Sequence, residues 1–195
     1  DLKPRDVDWR GMAQSLAQTM RWNGQGRPMP ISIAQHSVMG ADALMREHGD
    51  ATLAALFLLH DAHEWRFGDF TRPAATLLRL KMTEAGGPAA GEVFDAAIAA
   101  AKLALDRPIF KAAGLPAPDR WPARATAAVK AMDARMAAAE IRVLFGAEAA
   151  RREAYLGATG RPPDLAEPLK PWPPARAEEA FLDRLKRYAE VHWRI

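Results

Sequence analysis

Cysteine is absent from all 195 positions. Disulfides and thiolate metal sites are therefore excluded, and any bound metal must rest on His, Asp, Glu or water. No apolar run approaches the roughly 18 residues of a membrane-spanning helix. No run of five or more basic residues occurs, and a net charge of +3 is too mild to argue for nucleic acid. β-Branched residues are sparse, internal repeats are missing, and the period-two alternation of strands is almost absent. The opening DLKPRDVDWR does not look like a signal peptide, so cytoplasmic location is the expectation.

What is present is alanine, and an apolar fraction of 49%, ordinary for a globular core. One domain is expected over residues 1–195, with a core at about 8–146 and a C-terminal helical extension at 147–195. Pro and Gly punctuate a succession of helices. Asp8 caps the first, running to about Met20, and WNGQGRPMP is a loop. Ser32 caps a second to about Glu47, and a third runs from Ala51 to about Trp65. Asp69 or Thr71 opens a fourth to about Met82, EAGGPAAG is a flexible stretch, and a fifth spans about 91–113. The longest pattern covers about 122–146, with a short helix to about Tyr155, an irregular connection over 157–175 and a last amphipathic helix over about 176–192. The expected fold is all-α.

Several polar residues interrupt the apolar faces of these helices. In AVKAMDARMAAAEIRVLF, Asp133 shares the stripe of Val129, Met132, Met136 and Val143. An unpaired buried carboxylate costs several kcal/mol, so Asp133 needs a cation, either a metal or an arginine. Glu140, on the same face, suits an arginine partner better than a metal. His60 and Asp61 end the greasy run LAALFLLHD. Adjacent helical residues diverge by about 100°, so both can reach one ion only beside a helix end. His36, in ISIAQHSVMGADAL, is by itself the kind of histidine that more often serves structure. Together, two imidazoles and two carboxylates compose a mixed N/O set for one divalent ion: Mn, Co, Mg, Fe or Zn.

A single His, an HD doublet 24 residues later and a lone Asp 72 residues after the doublet's Asp resemble the HD-domain metal-dependent phosphohydrolase superfamily. Arg21-Trp22 before the loop, AQHSV, and HDAHEWRFGD with Glu64 and Asp69 three and eight residues after Asp61 narrow the likeness. It is closest to bacterial HD-type 5′-deoxynucleotidases and phage relatives that hydrolyse dATP, and it covers about residues 8 to 145. The resemblance implies an HD-domain helical bundle in which His36, His60, Asp61 and Asp133 bind the ion. It implies that Glu64 and Asp69 are catalytic, that Arg21 contacts phosphate and that Trp22 lies against the sugar. His63 falls where the family tolerates several residues.

Phosphate ester hydrolysis needs charge neutralisation, a nucleophilic water and a stabilised leaving group. Glu64, one turn past Asp61, can take or orient the water's proton, and Gly68 lets the chain return Asp69 towards the site. Trp22 against ribose C2′ would exclude a 2′-hydroxyl. Blander roles stay open: salt bridges or a cap for Glu64 and Asp69, a surface position for Arg21, and core packing for Trp22. Arg66 and Arg72 are either extra phosphate-binding charge or solvated helix charges. The expected activity is phosphate release from deoxynucleoside monophosphates. Triphosphohydrolysis of deoxynucleoside triphosphates is the alternative, and a non-catalytic nucleotide-binding module a further one. The partner is then a small nucleotide, with no nucleic acid or membrane. The helix FLDRLKRYAEVHW either closes the core or makes a homodimer, the latter by family analogy.

Overall fold

The computed structural model describes residues 2–27, 29–152 and 161–191. Among them the all-α expectation holds: helices α1 (Trp9–Gln18), α2 (Ile33–His48), α3 (Ala51–Leu58), α4 (Glu64–Phe67), α5 (Arg72–Gly86), α6 (Pro88–Ala112), α7 (Ala123–Arg152) and α8 (Pro174–Ala189). No described helix is long and apolar enough to cross a membrane.

The first two caps are those the sequence announces. Asp8 and Ser32 accept from the backbone N–H of Gly11 and Gln35 at the starts of α1 and α2. Gly49 closes α2 in the left-handed conformation at φ 64°. Asp50 caps α3 through Leu53.

The centre of the molecule is α2, whose residues from Ile33 to Ala41 are all buried. Helices α1, α3, α7 and α8 surround it. Phe181, Leu185 and Ala177 of α8 are fully buried, so the apolar face of the last helix closes the core against α1, α2 and α3. Each such large side chain stabilises the fold by about 1.5–3 kcal/mol. Asp42 of α2 accepts from Arg184 and from the Tyr188 hydroxyl at 2.7 Å, tying α8 in place. Buried Gln35 does the same for the connection before α8, donating to the Lys170 carbonyl and accepting from the Trp172 N–H.

Three expectations need correction. The helix expected from Ala51 to Trp65 stops at Leu58, and a tight turn carries His60 and Asp61 to the short α4. The cause is local: the Phe57 carbonyl accepts both the His60 N–H (3.2 Å) and His60 Nδ1 (2.6 Å), drawing the chain into i→i+3 bonding. EAGGPAAG is not a loose stretch. Helix α5 continues to Gly86, Gly87 turns the chain at φ 79°, and Pro88 starts α6. Val143 does not extend the buried stripe of α7, being exposed, whereas the interruption of that helix at Gly146 (φ 89°) falls at the expected boundary. Residues 153–160 and 192 lie outside the described residues, as do the parts of the helical and irregular assignments that fall on them.

Glu47 makes a pH-sensitive staple remote from any site. Arg135 of α7 holds it with two hydrogen bonds, at 2.8 and 2.6 Å, while Arg161 and the Asp164 N–H add two more contacts. The Arg135 hydrogen bonds lead the burial penalty and lower the Glu47 pKa to about 2. A lowered folded pKa stabilises above the unfolded value and is lost as pH falls through the folded one. Because Arg161 is mostly solvated, screening reduces the contribution to about 1–3 kcal/mol. The urea midpoint of the wild type should exceed that of Glu47→Gln at neutral pH. That advantage should shrink between pH about 4.5 and about 2; a gap independent of pH would refute the assignment.

Candidate metal centre and its cleft

Most of the side chains singled out in sequence line one cleft of 1230 Å³, among them Arg21, Trp22, Asp61, Glu64, Asp69 and Asp133, while His36 and His60 lie behind Asp133 and Asp61. The metal-centre residues and Glu64 arrive from four elements. His36 projects from α2, His60 and Asp61 from the turn after α3, Glu64 from α4, and Asp133 from α7.

His36 is fully buried, and its Nδ1 bonds Glu140 Oε1 at 2.6 Å. His60 Nδ1 donates to the Phe57 carbonyl. Both rings therefore turn Nε2 inward, at 3.3 Å (His36) and 3.8 Å (His60) from the same oxygen, Asp133 Oδ1. Neither buried Nε2 has a hydrogen-bond partner in this tautomer. An imidazole tied at one nitrogen by a carboxylate or carbonyl, with the other lone pair free, is the arrangement of a metal-bound histidine. The ligating atoms of His36, His60 and Asp133 lie within 4.8 Å of one another. Asp61 Oδ2 stands 3.2 Å from His60 Nε2. The set can hold a metal ion.

Phe57 adds rigidity. Its ring lies 4.3 Å from that of His60 and 5.6 Å from that of His36. Gly40 of α2 makes this possible, since a Cβ there would collide with the Phe57 ring. The glycine lets α2 and α3 approach closely at the level of the site.

The charge balance asks for a cation. Burial disfavours the proton on His60, but Asp61 and Asp133 outweigh it and raise its pKa. Burial would raise Asp133, but the neighbouring His36 and His60 imidazoles prevail and lower it. The Asp133 carboxylate is not sealed in the apolar stripe. It is 44% exposed, opens onto the cleft, and is paired with imidazoles rather than with an arginine.

Arg21 and Trp22 reach the site through a pinned loop. Backbone bonds Arg21 N–H to Ile31 carbonyl (2.9 Å) and Ile33 N–H to Thr19 carbonyl (3.0 Å) close the loop at its neck. Trp22 and Asn23 both sit at positive φ, 58° and 56°. Such a conformation is costly for a bulky residue and persists only where surroundings enforce it. Here the enforcement is Glu140: its Oε2 accepts from both Arg21 Nε and Trp22 Nε1 at 2.9 Å. Fully buried Glu140 is thus the arginine partner that its position suggested, and it also fixes His36. Burial would raise its pKa, but Arg21 and His36 prevail and keep it ionised. Arg21 NH1 also faces Asp61 at 3.4 Å, and the opposing carboxylates outweigh burial to keep the guanidinium charged.

Glu64 is 8% exposed, and its Oε2 has no partner. Burial first, then Asp61 and Asp69, push its pKa up to about 9. Asp69 is also raised by burial, although Arg21 and the Asn23 backbone N–H favour its charge. Gly68, at φ 79°, provides the turn that brings Asp69 to the cleft. Of the flanking cations, Arg72 lines the cleft, whereas Arg66 stacks on Trp65 at 4.3 Å. Lys102 of α6 and an apolar wall including Leu77, Leu80 and Phe145 also line it. Sequence reasoning did not find these, because nothing local in AAAKLALD distinguishes Lys102.

Fold and site together define an all-helical protein with a half-enclosed His/Asp cluster able to hold a metal ion. No family model matches the chain. Over 156 residues it is 33% identical to an uncharacterized protein of Rhodobacter capsulatus, an alignment spanning 77% of this chain and 71% of that protein. The chain belongs to the same family as that protein.

Proposed function

We propose that the protein is an HD-domain phosphohydrolase that uses a divalent metal to release phosphate from deoxynucleoside 5′-monophosphates. The observation that carries this reading is the convergence of two buried Nε2 atoms on one Asp133 oxygen, beside Asp61 and an open cleft. His36, His60, Asp61 and Asp133 would hold the ion. A bound divalent ion neutralises phosphate charge and makes water acidic enough to attack near neutral pH.

The remaining steps belong to the chain. Arg21 presents a planar guanidinium suited to phosphate oxygens, held by Glu140 so that little ordering is left to do on binding. Trp22, locked by the same carboxylate, walls the sugar side and disfavours a 2′-hydroxyl. Glu64 exchanges a proton with the attacking water through its unpartnered Oε2. Asp69 orients water or a sugar hydroxyl.

A second reading, triphosphohydrolysis of a deoxynucleoside triphosphate, draws on Lys102 and Arg72 in the same cleft, which add positive charge beyond Arg21. A non-catalytic nucleotide-binding module is the further alternative; against it, every position of the resemblance is filled. The deciding experiment strips the protein of metal, reloads it with Mn, Co, Mg or Zn, and offers deoxy- and ribonucleoside mono- and triphosphates. Free phosphate from deoxynucleoside monophosphates is the expected product, and tripolyphosphate would select the second reading. No turnover with any ion would leave a binding module, and equal ribo- and deoxy-rates would remove the role given to Trp22.

A further inference from the structure

His63 has no place in the chemistry above, yet it is built like a ligand. It is 5% exposed, and its Nδ1 lies 3.1 Å from Oδ1 of Asp106, itself buried in α6. With Nδ1 tied to that carboxylate, the ring turns Nε2 to the opposite side, where it is buried with no hydrogen-bond partner. The same carboxylate–imidazole pairing orients metal-bound histidines in general. Glu64 Oε2, on the adjacent residue, is also buried and unpartnered. Ligating atoms of Asp61, His63 and Glu64 all lie within 4.8 Å of one another. An imidazole lone pair and two carboxylates are all acceptors when ionised. Ionised together in a mostly buried corner, these acceptors favour a positive centre between them.

We propose that Asp61, His63 and Glu64 form a second divalent-cation position, next to the one framed by His36, His60 and Asp133 and sharing Asp61 with it. The inference rests on the metal-centre reading above for that shared ligand. Asp61 suits the part. It sits between the two histidine clusters, with Oδ2 3.2 Å from His60 Nε2, and a carboxylate has two oxygens with which to serve two ions. Two ions about 3.5–4 Å apart clamp the attacking and leaving oxygens of a phosphoryl displacement. Glu64 can hold the ion through one oxygen and a water through the other, so its ligand role and its proton role are compatible. The donor set of one nitrogen and carboxylate oxygens, without sulfur, favours Mn, Fe, Mg or Zn over Cu(I).

The test is a count. Chelator-stripped full-length protein is titrated with Mn(II), freed of excess by gel filtration, and its bound metal measured alongside its electron paramagnetic resonance spectrum. Two ions per chain with a spin-coupled spectrum are expected. His63→Gln should retain one ion per chain and give the spectrum of an isolated Mn(II). Should His63→Gln fail to fold by circular dichroism, Asp106→Asn, which loosens the same imidazole, should lower affinity for the second ion by about 10–100-fold. A wild type that binds a single ion, lost in Asp133→Asn, overturns this inference and leaves the phosphohydrolase reading intact, with water between His63 and Glu64. A wild type that binds none sinks both. Two ions retained in His63→Gln, or in Asp106→Asn with unchanged affinity, also overturn it.

Discussion

Replacing Glu140 by alanine is expected to destabilise the protein by about 3–5 kcal/mol and to weaken divalent-ion binding by about 10–100-fold. The carboxylate is fully buried, and three side chains depend on it: Arg21 and Trp22 through Oε2, His36 through Oε1. Its removal costs a mostly buried guanidinium its 2.9 Å ion pair and leaves it facing Asp61 at 3.4 Å. It also frees the His36 ring to rotate, so that Nε2 no longer points at the ion position. Two measurements separate these consequences. Urea denaturation of the metal-free protein reads the electrostatic loss, and chelator competition at saturating fold stability reads the ligand-orienting loss. The double variant Glu140→Ala/Arg21→Ala should recover part of the stability, because the orphaned charge is gone, but none of the ion affinity. Additive stability losses would mean that the two residues are not coupled. Ion affinity unchanged within about twofold would mean that Glu140 does not orient His36.

Glu140 also illustrates what could be read in the chain. Its helical register with Asp133, seven residues away, put it on the site-facing side of α7, and its burial demanded a cation. Which cation was a matter of tertiary structure, since Arg21 lies 119 residues away. The helices themselves were legible because their caps are chemical: Asp8, Ser32, Gly49 and Asp50 act as their types predict. The end of α3 was not, because the run from Ala51 to Trp65 is helical in composition. What stops it is a single imidazole competing for the Phe57 carbonyl. His36, His60 and Asp133 could be nominated from polar residues on apolar faces, and the structure brings those three together. His63 was set aside because it falls where the resembled family tolerates several residues, and its partner, Asp106, lies 43 residues downstream in α6. Asp106 itself carries no local signal beyond a carboxylate beside Leu105 and Ile109. Lys102, one turn earlier on the same helix, is hidden for the same reason.

On the proposed phosphohydrolase reading, Glu64→Gln is expected to lower turnover of a deoxynucleotide substrate by about 10²–10⁴-fold, with KM little changed. Glutamine keeps the size and hydrogen-bonding reach of the side chain but cannot exchange a proton. Burial, Asp61 and Asp69 raise the Glu64 pKa to about 9, so without a metal it is protonated at neutral pH. A dication beside Asp61 adds the opposite charge and lowers that value towards neutrality, where proton exchange is most effective. The wild-type pH–rate profile should therefore contain a limb that the variant lacks. Occupancy of the first ion position should be unaltered, because His36, His60 and Asp133 are untouched, and metal analysis of the purified variant checks this. Asp69→Asn should cost less, since Asp69 is only half-buried and partly engaged with the Asn23 backbone. Activity surviving Glu64→Gln within a few-fold would remove the proton role. A comparable loss in His63→Gln would instead trace the effect to the ion the two residues hold, because His63 ligates there without touching the water's proton.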